Sequence, residues 1–385
     1  MSGEDRRMVT LYGSYASYYT AKTRSYLRKK GIPFVERPPS HPRFRSVVRP
    51  TAESKRIPII EDADGLIVQD TTAIFDHLEA RYPDPPATPP GPQQSLAAYL
   101  LDLFFSENSK VAWHYRWNFM ETNAHFVRTE FGRSFSPRGS DEEVDRYGGL
   151  IADRMSGYAS VFGITPEIFP VLEEIYLEWL DTLEQHFRDL PYLFGGLPSM
   201  ADFALMGPLF AHLGRDPYPL HVMQRRAPRV FRWVEHMNAP EIVSPEFWDY
   251  PQAYLEHDEV PSSVKEMLRR YCSDWTDLYK QSARLFSDWV EAHPDLPSGS
   301  VISEADLDQP PIGPARIVLR GRPMELNAPL HPLWMLQRIL DWRNGLSLPE
   351  REQADRFALE CGAGDLLGLR PARRLTRVRN RLAVL

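Results

Sequence analysis

The stretch LYGSYASYYTAKTRSYLRKKGIPF, Leu11 to Phe34, sets two serines and several tyrosines between a short apolar run and a basic segment. Its start belongs to MVTLYG, residues 8–13, a β-prone run ending in glycine. A polar loop follows, then roughly a dozen residues rich in strong helix formers, closed by Gly31. The pattern predicts strand, loop, helix. The hydroxyls in the loop are either catalytic groups or the polar filling of a connection.

Downstream, IPFVERP predicts a second strand, and RIPIIEDADGLIVQD predicts two apolar strands around an acidic turn, Asp62 to Gly65. TTAIFDHLEARYP closes the unit as a helix, with Ile74, Leu78 and Tyr82 at helical spacing. The order is βαβ, then ββα. A crossover joins parallel strands and a tight hairpin antiparallel ones, so a mixed sheet flanked by helices is expected. Pro58 heads an otherwise good strand, where its missing N–H fits a first residue, an edge or a bulge. A cis Ile57-Pro58 bond would turn the Ile57 backbone toward a ligand instead of a neighbouring strand.

The prolines of YPDPPATPPGPQQS favour an extended connection and cannot continue a helix, so a linker is expected over residues 85–93. It separates a unit over residues 1–84 from a helical one over 94–258. Ile168, Leu172, Ile175, Trp179, Leu183 and Phe187 form one apolar stripe of that second unit. Residues 259–385 read as an additional module: a helix over Val264 to His293, a loop rich in Pro, Asp and Ser, a hairpin around Arg320 to Arg322, and helices at HPLWMLQRILDW and PEREQADRFALE. The aromatic HPLWMLQR segment reads as the face that docks this module.

The chain has 385 residues, 43% hydrophobic and 25% charged, the balance of a soluble protein with more than one core. Its start, MSGEDRRMV, lacks an apolar signal core, and no run approaches the roughly 18 apolar residues of a spanning helix, so a cytoplasmic protein is expected. Cys272 and Cys361 lie in no metal-ligand spacing and read as ordinary thiols, so neither a disulfide framework nor a metal is expected. A net charge of −7 argues against nucleic acid as a main partner. The last stretch, RPARRLTRVRNRLAVL, holds six arginines and no acid. It reads as a solvated helix face or frayed tail that pairs with acidic surface elsewhere, or as a site for an anionic partner.

Asp70, Thr71 and Thr72 fall where the fourth strand meets a helix. They suit a plain N-cap, or a ligand site in which Asp70 takes an ammonium while Thr71 and the helix N-terminus hold a carboxylate. Together the pieces resemble the cytosolic glutathione transferases. LYGSYASYYTAKTRSYL is similar to that family's first strand, active-site loop and helix, RIP to its Val-Pro turn, and QDTTAIFDHLEARYP to its acid-hydroxyl helix ending in Tyr-Pro. YLFGGLPSMADFALMGPL is similar to its buried helix with an N-capping box, here Ser199 and Asp202, and APRVFRW follows as in the family. The resemblance spans roughly residues 8 to 240.

The resemblance implies an α/β thioredoxin-like N-terminal domain, an all-α transferase domain and, here, a mostly helical C-terminal extension. It implies glutathione as co-substrate, no metal, a hydrophobic electrophile as acceptor, and a homodimer. By position it assigns Ser17 to the thiol, with Tyr15, Tyr18 and Tyr19 as alternatives because the proline that often follows the catalytic residue is Tyr18 here. A hydroxyl donating to sulfur, with a helix N-terminus behind it, favours the thiolate. Lowering the thiol pKa by two units takes about 2.7 kcal/mol. Glutathione binding falls to Arg56, Ile57, Pro58, Asp70 and Thr71, with Lys55 beside them, and the acceptor pocket to Trp113, His114, Arg116 and Trp117, whose other reading is core. Two alternatives share the resemblance: a scaffold that keeps the fold without transfer, and a glutathione-dependent reductase or isomerase, weakened by a serine where disulfide exchange needs a cysteine.

Overall fold

The computed structural model describes residues 8–107, 109–302 and 312–385. The N-terminal Met1 to Arg7 and most of the loop rich in Pro, Asp and Ser lie outside the described residues.

The first unit follows the alternation of apolar runs and helix formers. Strand β1 (Val9–Tyr12) leads through the hydroxyl-rich loop to α1 (Tyr18–Lys29), β2 (Phe34–Arg37), α2 (Arg49–Ala52), β3 (Ile59–Glu61), β4 (Ile67–Gln69) and α3 (Thr71–Arg81). The sheet order is β2-β1-β3-β4, with β1 parallel to β2 and antiparallel to β3, and β3 antiparallel to β4. The mixed sheet expected from the βαβ and ββα order is therefore present. Leu11 and Ile60 face each other across β1 and β3, both fully buried. Gly31 closes α1 at a positive φ of 64°, where an L side chain is strained.

After the proline linker the chain is helical: α4 (Pro92–Glu107), α5 (Lys110–Trp117), α6 (Met120–Phe135), α7 (Asp141–Ser156), α8 (Phe169–Asp189), α9 (Met200–Ala211), α10 (Pro217–Arg226) and α11 (Pro228–Met237). The stripe on α8 is buried as its spacing predicts. Tyr26 of α1 stacks on Phe75 of α3 at 4.2 Å and meets the edge of Phe203 of α9 at 5.3 Å, so one aromatic trio joins the two units. Burying a ring of this size contributes about 1.5–3 kcal/mol. The seam is polar as well: Lys22 pairs with Asp102 at 2.5 Å, and Ser25 donates to the Met237 carbonyl at 3.0 Å. Helix α9 begins in the expected capping box. The Asp202 carboxylate accepts from Ser199 N and Oγ, each at 2.8 Å, and from Leu193 N at 2.9 Å.

The third part comprises α12 (Ser262–Glu291), β5 (Pro314–Leu319), β6 (Arg322–Asn327), α13 (His331–Gly345), α14 (Leu348–Glu360), α15 (Gly364–Leu367), β7 (Leu375–Val378) and β8 (Arg381–Val384). It joins the same hydrophobic core as the other units. Tyr271 of α12 stacks on Phe104 of α4 at 5.0 Å and meets Phe105 edge-on at 5.4 Å. The hairpin β5-β6 turns at Arg320 and Gly321, both at positive φ, and lays Ala315, Ile317 and Leu319 inward. The arginine-rich tail departs from its expected helix or frayed end: it folds as the hairpin β7-β8. Arg379 and Asn380 adopt φ of 51° and 58°, a turn that matches strand twist, and Leu375, Ala383 and Val384 supply a buried base.

Candidate functional site

The loop between β1 and α1 assigns its hydroxyls to different tasks. Ser14 Oγ bonds Ser134 Oγ at 2.6 Å and accepts from Ala16 N at 3.2 Å, which fixes the start of the loop. Ser17 is the N-cap of α1, in extended conformation, and its Oγ accepts from Thr20 N at 3.3 Å. A hydroxyl that accepts this bond keeps its own proton for another acceptor. Ser17 is half-buried, and the first turn of α1 holds no acid to offset the helix dipole.

The tyrosines beside it are placed differently. Tyr18 is buried, and its phenol donates to the Phe105 carbonyl. Burial, then the charges of Glu107 and Asp102, push its pKa well above the ordinary value. Tyr19 is partly exposed and donates to the Ser106 carbonyl at 3.1 Å. Tyr15 is the most exposed, its ring under the Arg24 guanidinium at 4.1 Å and near that of Arg215 at 5.4 Å.

Across the sheet, Ile57-Pro58 is cis and leads directly into β3, with Ile57 half-buried. Arg56 is half-buried, and its N–H donates to Ser54 Oγ at 3.2 Å. Beside it, Arg45, Arg49, Pro50, Glu53, Ser54 and Lys55 line a depression of about 370 Å³ in which positive charge predominates. At the end of β4, Asp70 takes φ 86°, and its carboxylate accepts from Thr72 N at 2.9 Å as the N-cap of α3. Thr71, the first residue of that helix, is buried.

These parts match a known pair of domains. Residues 11–86 match the glutathione S-transferase N-terminal domain, and residues 166–236 the glutathione S-transferase C-terminal domain. The chain carries both domains of the glutathione S-transferase family. It is similar to a glutathione S-transferase from Methylobacterium radiotolerans solved with glutathione sulfonate, at 20% identity over 66% of this chain and 100% of that one, with a TM-score of 0.35. The β-etherase LigF from Sphingobium sp. strain SYK-6 is similar at 17% identity over 68% of this chain and 99% of the other, with a TM-score of 0.40. A glutathione S-transferase from Rhodospirillum rubrum F11 is similar at 19% identity over 67% and 98%, with a TM-score of 0.34. No curated protein matches.

Within this glutathione S-transferase fold the four aromatic and basic residues of α5 divide between core and flank. His114 is buried, with Nε2 3.1 Å from Glu173 and Nδ1 2.8 Å from Asn118 Nδ2. Arg116 is buried in a bidentate pair with Asp216 at 2.7 and 2.9 Å and donates to the Ala16 carbonyl at 3.1 Å, so it braces the Ser17 loop from below. Trp113 and Trp117 are half-buried and meet at 6.0 Å, Trp113 against Phe162 and Trp117 stacked on Phe131. Trp113 and Trp117 thus form a half-buried aromatic pair, while His114 and Arg116 are buried.

The extension adds residues at Asp70 that the local sequence did not announce. His331 Nε2 lies 3.3 Å from Asp70 Oδ2, and its Nδ1 lies 2.8 Å from Glu107 Oε1. Arg377 Nη1 lies 3.6 Å from Asp70 Oδ1, and its Nη2 donates to Gln69 Oε1 at 2.6 Å. Burial opposes ionisation of Asp70, but the close approach of His331, the charge of Arg377 and the Thr72 N–H outweigh it and hold the carboxyl well below its usual range. Burial likewise opposes the His331 cation, yet Glu107 and Asp70 raise its pKa to about 10. The available signal was the acid-free arginine tail, whose charges require acidic partners, and the lone histidine heading the aromatic α13.

Proposed function

We propose that the protein is a glutathione-dependent transferase that presents the glutathione thiolate to an electrophilic, hydrophobic acceptor. The observation that carries this reading is Ser17: a half-buried N-cap whose hydroxyl accepts from Thr20 N and, among the described residues, donates to none, at the start of a helix without an acid in its first turn. Ser17 donates to the sulfur, and the helix N-terminus stabilises the developing thiolate. The cis Ile57-Pro58 backbone pairs with the cysteinyl unit, Asp70 takes the γ-glutamyl ammonium, and Thr71 with the α3 N-terminus takes the adjoining carboxylate. The basic depression at Lys55, beside Arg56, suits the glycyl carboxylate. Trp113 and Trp117 offer the acceptor an apolar flank. A cytoplasmic homodimer belongs to the same reading and rests on the resemblance alone.

The test is retention on immobilised glutathione together with turnover of an aryl halide. A folded protein that shows neither defeats the proposal. One observation favours a second reading, a binding or scaffold protein on the same fold: the acid for the ligand ammonium already has cations from the extension. Retention without turnover supports it. Reduction or isomerisation finds less support, since Cys272 and Cys361 are both buried, and burial pushes their thiols up to about 12 and about 11.

A further inference from the structure

We infer that the C-terminal hairpin is a built-in gate on the Asp70 site, with Arg377 standing where a ligand ammonium would bind. The inference rests on the glutathione reading above and concerns how access to that site is controlled.

Both carboxylate oxygens of Asp70 already face cations, Arg377 toward Oδ1 and His331 toward Oδ2, while Oδ1 also accepts from Thr72 N. A third cation brought to this carboxylate meets two like charges at close range in a half-buried site, where repulsion is less screened than at an open surface. An ammonium therefore binds well only if one resident cation leaves. The two are anchored differently. His331 opens α13, is held a second time by Glu107, and belongs to a helix whose Leu333, Leu336, Ile339 and Leu340 are buried in the core. It is the fixed cation.

Arg377 belongs to a hairpin anchored at its base. Leu375 exchanges backbone bonds of 2.9 Å with the Gln337 side chain, Arg374 pairs with Asp341 at 2.6 Å, and Ala383 and Val384 are buried. The tip reaches the N-terminal domain through polar groups. Arg377 meets Gln69 and Asp70, Asn380 Nδ2 donates to the Ala52 carbonyl at 2.8 Å, and Arg379 lies 3.6 Å from Glu53. Polar contacts of this kind exchange for water at little net loss, unlike buried apolar area. Leu382, opposite Arg377, is also held, its carbonyl accepting from Ile302 N at 3.0 Å, so what can lift while the base stays packed is the Arg377 side chain and the turn beyond that pair. In the closed state the Arg377 guanidinium lies 5.6 Å from the Trp334 ring centroid, which gives its position an optical reporter.

The test is calorimetric titration of the full chain with reduced glutathione, alongside Arg377→Met, which keeps the side-chain stem and removes the charge. Hydrogen exchange of the β7-β8 amides is measured with and without ligand. The gate predicts at least tenfold tighter binding by Arg377→Met, and faster exchange at the hairpin tip when glutathione saturates the wild type. Asn380→Ala, which severs the Ala52 contact, shifts affinity in the same direction by a smaller factor and serves if Arg377→Met fails to fold. Equal or weaker binding by the folded variants, with tip exchange unaltered by ligand, overturns the gate and leaves the glutathione reading standing. No binding by the folded wild type or by either variant overturns that reading and the gate with it.

Discussion

The two helix N-termini of the candidate site are built by opposite means. At the Ser17 end everything is local. The hydroxyl caps the helix it opens by accepting from an amide three residues on, and among the described residues none accepts its proton. At the Asp70 end the carboxylate also caps its helix, but its charge is answered from far along the chain, by Arg377 at 3.6 Å and His331 at 3.3 Å. One end is a local cap, the other a cap whose charge is matched by the extension. The contrast shows that a cap can be read as a cap from sequence, whereas its availability to a ligand depends on what the remainder of the chain brings to it.

Asp70→Ala strikes the end matched by the extension and should have the largest effect. It leaves Arg377 without its carboxylate, removes one of two acids from His331 and deletes the N-cap of α3. Removing the carboxylate leaves half-buried cations short of a partner, which together with the lost cap costs about 2–4 kcal/mol. Urea unfolding should therefore show a loss near the lower figure, because His331 keeps Glu107. A loss under about 1 kcal/mol, the value of the cap alone, means the two ends are alike and the cluster does not bind the extension.

Ser17→Ala strikes the local cap, and its effect should fall on chemistry. Two units of thiol pKa correspond to about 2.7 kcal/mol, so kcat/KM below the thiol pKa should drop roughly 100-fold. The pH profile should move toward that of free glutathione, while stability falls by only about 1 kcal/mol for the lost cap. A full stability loss with an unmoved pH profile would reduce Ser17 to a structural cap.

Titrating the cluster gives a smaller effect with a fixed sign. The His331 pKa stands at about 10, against an ordinary 6.5 in the unfolded chain. The native state thus holds this proton more tightly, and the resulting stabilisation is fully present below pH 6.5 and is lost as pH rises through 10. Wild-type stability should fall across that window by roughly 2 kcal/mol more than that of His331→Gln, measured by urea unfolding at matched ionic strength. Parallel curves would show that the imidazolium contributes nothing to holding α13 against Asp70.

The legibility of the sequence divides along the same line. The strand, loop and helix at Leu11–Phe34, the acidic hairpin turn, the Ser199–Asp202 box and the α8 stripe follow from contacts a few residues apart, where propensity and periodicity act. The β7-β8 hairpin escaped because its arginines mask a weak alternation, and its turn depends on positive φ at Arg379 and Asn380 rather than on glycine. His114 and Arg116 sit on one helix with Trp113 and Trp117, and nothing local reveals that the first two are buried, Arg116 against Asp216 and His114 beside Glu173 and Asn118. Charged residues in particular hide their partners, since an ion pair leaves no periodic trace.

Tyr18→Phe gives the smallest expected change and the sharpest decision about the Ser17 end. The Tyr18 phenol donates to the Phe105 carbonyl inside the seam between α1 and α4, and its ring packs 5.8 Å from His212. Removing the oxygen leaves that carbonyl without this donor in a buried site, a loss of about 1 kcal/mol that thermal unfolding resolves. Turnover should stay within about twofold of wild type, because a group in this position serves the seam and not the sulfur. A tenfold fall in kcat with an unchanged melting temperature would reverse the assignment. The phenol would then have to leave its carbonyl to reach the ligand, and Ser17 would keep only its cap.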